Sequence, residues 1–176
     1  MKKALIVYAS KTGTTKDAAA GLAGMLGMEV DRYDCRSRAM SGRGLNGRKA
    51  EPPISQYDVV VLGTAMYMGA PMGAMKRFMT TRQKELCRKP LAYFTCGIGD
   101  EQGDGQYLRN HMPELLKKEP LLYRHLGGEL RMDRMSAFAR MAMKEYEKKC
   151  EVKPGINRDA MERFSKEVIT LAGGVS

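Results

Sequence analysis

The sequence predicts an α/β fold: a doubly wound, five-stranded parallel sheet with helices on both faces. Two observations predict it. Short apolar runs at Ala4–Tyr8, Val59–Gly63 and Leu91–Cys96 read as buried strands, and segments with helical apolar spacing lie between them. Strands that alternate with helices pair in parallel, with the helices as crossovers on the sheet faces. The length, 176 residues, suits a single domain, read as 1–176.

The elements follow in chain order. The Ala- and Leu-rich segment Thr15–Leu26 predicts the first helix, and Met28–Tyr33 a weaker second strand. Residues 36–53, RSRAMSGRGLNGRKAEPP, are basic, Gly-rich and weakly patterned, and read as a long surface loop in place of a crossover helix. Its Arg36, Arg38, Arg43, Arg48 and Lys49 read as solvated surface. Pro71–Leu86 carries Met72, Met75, Phe78 and Met79 at helical spacing. Gln106–Lys118 places Leu108, Met112, Leu115 and Leu116 on one face, and Asp159–Ala172 does the same with Met161, Phe164, Val168 and Leu171. Leu122–Leu130 supplies the fifth strand. Residues 131–150 read as an extra amphipathic helix, with Met135, Phe138, Met141 or Ala142, and Tyr146 on one face and Arg134, Arg140, Lys144 and Lys148 away from it.

Composition narrows the partners. Apolar residues make up 43% of the chain, which is no disordered composition. No apolar run approaches the about 18 residues that span a bilayer. The start, Met1-Lys2-Lys3 and a short apolar run, lacks a cleavage pattern and reads as a strand. The four cysteines, Cys35, Cys87, Cys96 and Cys150, form no C-x-x-C pair, and His111 and His125 are too few for a His-rich metal site, so no metal is expected. These features point to a cytoplasmic protein and leave open peripheral contact with the inner membrane face. Lys and Arg exceed Asp and Glu by 30 to 20, a balance that attracts phosphates, acidic small molecules or anionic lipid. The basic residues are not interleaved with stacking aromatics, so sequence-specific nucleic-acid binding is not expected.

The stretch YASKTGTTKDAAAGLAG, residues 8–24, joins the first strand to the first helix. A loop there sits at the carboxyl edge of the sheet, where the next helix directs free N–H groups and its positive dipole end. Ser10, Thr12, Thr14 and Thr15 add small donors, and Gly13 permits a tight turn. The assembly suits a phosphate monoester. The nucleoside-triphosphate loop and the G-x-G-x-x-G fingerprint are both absent. A helix cap is the plainer reading of any one hydroxyl.

Ser10-Lys11-Thr12-Gly13-Thr14-Thr15 resembles the phosphate-loop pattern of the flavodoxins, [ST]-x-T-G-x-T, at every defined position. Thr64-Ala65-Met66-Tyr67-Met68-Gly69 follows the third strand, and Cys96-Gly97-Ile98-Gly99-Asp100, preceded by Thr95, resembles the G-x-G-D of the second ring loop. The resemblance implies a flavodoxin-like sheet and FMN, with the phosphate on residues 10–15. The flavin ring would lie between Ala65, Met66, Tyr67, Met68 and Gly69 on one side and Thr95, Cys96, Gly97, Ile98, Gly99 and Asp100 on the other. Tyr67 and Met68 could cover a ring face; Tyr67 also reads as an ordinary half-buried residue. Asp100 reads as a turn or cap residue and Cys96 as a buried structural thiol.

YDVVVLGTAMYMGAPMGAMKRFM, HLGGEL and INRDAMERF are similar to segments of the flavodoxin-domain group that contains quinone-dependent protoporphyrinogen oxidase. That similarity implies an FMN-dependent oxidoreductase passing electrons from a reduced substrate, a porphyrinogen among the candidates, to a quinone or other acceptor. The alternative is a flavodoxin-type carrier that serves a redox partner protein and has no substrate of its own; the basic charge counts against it. No catalytic acid or base stands out in the sequence.

Overall fold

Strand β1, Lys3–Ala9, sits at the centre of the sheet because it is apolar on both faces. Ala4, Ile6 and Tyr8 point to one face and Leu5, Val7 and Ala9 to the other, and all are buried. The computed structural model describes residues 1–42, 50–67, 69–117, 121–128, 133, 136–138, 140, 141, 144 and 155–173.

The other strands are β2 (Glu29–Asp34), β3 (Ala39–Ser41), β4 (Val59–Tyr67), β5 (Ala70–Pro71), β6 (Leu91–Cys96) and β7 (Leu122–His125). They lie in the order β3-β2-β1-β4-β6-β7, with β5 paired to β4 alone. Five strands are parallel, in the register Ala4↔Val30, Ala4↔Val59, Val60↔Leu91 and Ala92↔Leu122. The five-stranded parallel sheet expected from the sequence is therefore present. The basic segment differs from the expected plain loop: its first part turns back as β3, antiparallel to β2 through Tyr33↔Met40.

Helices α1 (Thr14–Met25) and α4 (Arg158–Gly173) cover one face, where Leu22, Phe164 and Val168 pack on Ile6, Val61 and Phe94. On the other, α2 (Gly73–Leu86) and α3 (Glu101–Asn110) bring Met75, Phe78, Met79 and Leu108 against Val7, Leu62 and Tyr93.

Three expected boundaries move. Helix α2 begins at Gly73, because Pro71 pairs with Met66 in the β4–β5 hairpin. The helix expected over 106–118 is α3, starting at Glu101 and ending at Asn110, with Glu114–Leu116 as a separate 3-10 turn. Pro113 forces the break, since it has no N–H to continue the helix. The last parallel strand stops at His125, because Gly127 takes a positive φ of 70°. Most of the helix expected over 131–150, including Met135, Ala142 and Tyr146, lies outside the described residues.

Gly63 in β4 opposes Phe94 in β6, and a Cβ on Gly63 would stand 2.0 Å from the Phe94 ring. Both positions are buried, so the ring has nowhere to go. Gly63→Ala is expected to destabilise the fold by about 1–3 kcal/mol in urea unfolding, and Phe94→Leu in the same chain to recover part of it. An unchanged midpoint for Gly63→Ala would refute this packing.

Candidate functional site at the carboxyl edge of the sheet

The loop between β1 and α1 turns its hydroxyls inward and its charge outward. Thr12, Thr14 and Thr15 are buried, whereas Lys11 is exposed. Gly13 reverses the chain at φ 105°, a left-handed conformation that favours glycine. The turn is held by the Gly13 N–H, which donates to Ser10 Oγ at 3.1 Å. Gly13 occupies the helix N-cap position and, having no side chain, makes no cap bond of its own. The N-cap position itself therefore holds none of the hydroxyls. A helix that starts at a strand end presents its positive dipole end there, where an anion is favoured.

Thr15 Oγ1 is fully buried and lacks an oxygen or nitrogen partner. The Cys96 thiol, a weak sulfur partner, lies against it. The hydroxyl is thus only weakly satisfied, and it is closed off from the surface.

The second segment is a hairpin rather than an open loop. Strand β4 continues through Ala65, Met66 and Tyr67, and β5 pairs back with Tyr67↔Ala70. Gly69 makes the turn at φ 74°, with the Tyr107 ring 3.3 Å from where its Cβ would stand. Thr64 Oγ1 accepts from the Met72 N–H at 3.1 Å and donates to the Ala65 carbonyl at 3.0 Å, tying the hairpin to the start of α2. Burial pushes the Tyr67 hydroxyl pKa up, while contact with Thr12 and the charge of Arg36 oppose that shift. Met68 lies outside the described residues.

The third segment leaves the buried end of β6, Thr95 and Cys96, and turns at Gly97 with φ 148°. The Gly97 N–H donates to the Gly127 carbonyl at 3.2 Å. A Cβ on Gly128 would come within 2.8 Å of the same nitrogen, so the two chain segments touch backbone to backbone. Ile98 is half-buried and Gly99 exposed. Asp100 caps α3: its Oδ1 accepts from the Gly103 N–H at 2.7 Å. This is the cap role expected of it.

The three segments converge. Tyr67 meets Thr12, Cys96 meets Thr15, and a Cβ on Gly97 would lie 3.7 Å from the Met66 carbonyl.

Beneath the third segment lies a polar group of which the sequence marks only Thr95 as a site residue. Thr95 Oγ1 is 2.6 Å from Tyr123 Oη and 3.1 Å from His125 Nδ1. Asp104 Oδ2 stands 3.1 Å from the same His125 nitrogen, and a Cβ on Gly99 would be 2.3 Å from Asp104 Oδ1. These side chains come from β6, α3 and β7, so no local spacing links them. The one signal was the row of polar residues at strand ends, where α/β folds place their sites.

Burial pushes the Cys96 thiol up from an ordinary 9.0 to about 12, and the Thr15 contact only partly opposes this. A raised pKa favours the protonated thiol in the fold. Its contribution to stability is complete below pH 9 and is lost as pH rises towards 12. At pH 8, Cys96 is expected to resist iodoacetamide in the folded protein and to react on unfolding, read by mass spectrometry. Rapid labelling in the folded state would contradict the burial.

Comparison with known proteins agrees with this architecture. A flavodoxin-domain family model matches residues 5–154. An oxidoreductase from Corynebacterium diphtheriae superposes with a TM-score of 0.58 at 12% identity, covering 100% of this chain and 99% of that one. The WrbA-like flavodoxin from Agrobacterium tumefaciens gives 0.56 at 17% identity, with 98% of each chain covered. Flavodoxin 1 from Bacillus cereus gives 0.50 at 14%, covering 99% of this chain and 100% of its own. No curated protein matches the chain in sequence. Among the described residues no cluster of His, Cys, Asp and Glu could hold a metal ion, and no helix is long and apolar enough to cross a membrane.

Proposed function

The chain belongs to the flavodoxin-domain family, whose cofactor is FMN, and from that premise we propose that it is an FMN-dependent oxidoreductase. It takes electrons from a reduced substrate, a porphyrinogen among the candidates, and passes them to a quinone or another acceptor. When bound, FMN supplies reversible one- and two-electron chemistry at its ring.

The chain's own residues bind and orient it. Ser10, Thr12, Gly13, Thr14 and Thr15 would hold the phosphate. Tyr67 and the Gly97–Asp100 turn would flank the ring, and the group formed by Thr95, Asp104, Tyr123 and His125 would keep that turn in place. The observation that carries the reading is the start of α1, which begins on Gly13 in the left-handed region at the end of β1. A phosphate monoester would fit the positive end of that helix.

The porphyrinogen is a candidate through the sequence resemblance and a formal charge of +10, which suits a substrate bearing carboxylates. The flavodoxin-domain match supports a second reading, a carrier that serves a protein partner.

Purified protein mixed with FMN is expected to take on the visible spectrum of bound oxidised flavin. Anaerobic addition of a porphyrinogen should bleach it, and a quinone should restore it. Bleaching only by a reductase would select the carrier, and failure to bind FMN would overturn both readings. Thr12→Val should weaken FMN binding by about ten-fold, the loss of one hydrogen bond to a charged group.

A further inference from the structure

The cationic side chain beside the anion-ready loop comes from outside it. Arg36, at the turn between β2 and β3, directs its Nη1 to the Ser10 carbonyl at 3.3 Å. It also lies close enough to Tyr67 for its charge to oppose the rise in that hydroxyl's pKa. Arg36 is therefore bonded to the first loop segment and lies near Tyr67 of the second.

Its backbone is fixed for this. Asp34 Oδ1 accepts from the N–H groups of Arg36 and Ser37, at 2.9 and 3.4 Å, which commits that oxygen to the turn. The Cys35 N–H bonds the Tyr8 carbonyl at 3.0 Å, anchoring the turn to the end of β1. Among the described residues no carboxylate pairs with the Arg36 guanidinium, which is exposed. A fork of donors held by a carbonyl, with charge left over, is suited to a second and anionic acceptor.

We propose that Arg36 is a cofactor-binding residue: its guanidinium pairs with the phosphate of FMN held by residues 10–15, and selects FMN over riboflavin. This rests on the FMN reading above. Arg36 is exposed, as expected of the basic segment, and the proposal gives that surface position a ligand.

The test compares FMN with riboflavin, which has the same ring and no phosphate, on the full chain by fluorescence quenching. Arg36→Met is expected to weaken FMN about ten-fold and leave riboflavin within two-fold. Added salt should weaken FMN binding to the unaltered protein more steeply than to Arg36→Met. Arg36→Lys should restore part of the difference, since it keeps the charge and loses the fork. Thermal unfolding of the ligand-free variants should match that of the unaltered chain. Equal loss of FMN and riboflavin would show that Arg36 acts on the ring or the fold, and no loss of either would show that it acts on nothing; each overturns the proposal. If the unaltered protein binds neither flavin, the FMN reading itself has failed, which is a different result.

Discussion

Everything at the carboxyl edge depends on how β1 ends. The strand is paired in parallel on both sides, through Leu5↔Asp31 and Leu5↔Val60, so its exit cannot shift without breaking the ladder on either side. The exit must then reverse direction within four residues to start α1, and Gly13 in the left-handed region is what permits this. The same reversal aims the first turn of α1 at the strand end and turns three threonine side chains inward. Fold and anion site share one backbone constraint.

The two neighbouring segments are held by different means. The first is part of the sheet, since β4 runs on into the hairpin with β5. The second is clamped between polypeptide segments: Gly97 against Gly127 and Gly128 on one side, Asp104 against Gly99 on another. Polar groups buried this densely are tolerable because they satisfy one another, as Thr95 does with Tyr123 and His125. Rigid surroundings with a few incomplete donors are what a ligand site requires, because ordering is done before the ligand arrives.

What the sequence made legible was local. The apolar run Ala4–Tyr8, the hydroxyls about Gly13 and the helical spacing of Met75, Phe78 and Met79 are each read within one element, and each appears in the structure. The start of α3 was missed because Gly103 and Gly105 weaken the helical pattern, although Asp100 followed by Glu101 and Asp104 carried a capping and dipole signal. Gly105 stands where it does because a Cβ there would come within 2.8 Å of the Tyr123 ring, a tertiary fact that no local pattern records. His125 and Asp104 were invisible for the same reason: they meet across 21 residues of chain. Arg36 looked like one more basic loop residue until β3 folded back along β2 and placed it beside Ser10.

The central claim, that the mouth of β1 encloses a phosphate monoester, is tested most directly by phosphorus NMR of FMN bound to the full chain. The account predicts one bound resonance, displaced from that of free FMN and constant in position between about pH 5 and pH 9. The donors of the loop would hold the ester as its dianion, well below the usual second pKa of about 6. A bound resonance that titrates like free FMN would place the phosphate in solvent and contradict the account.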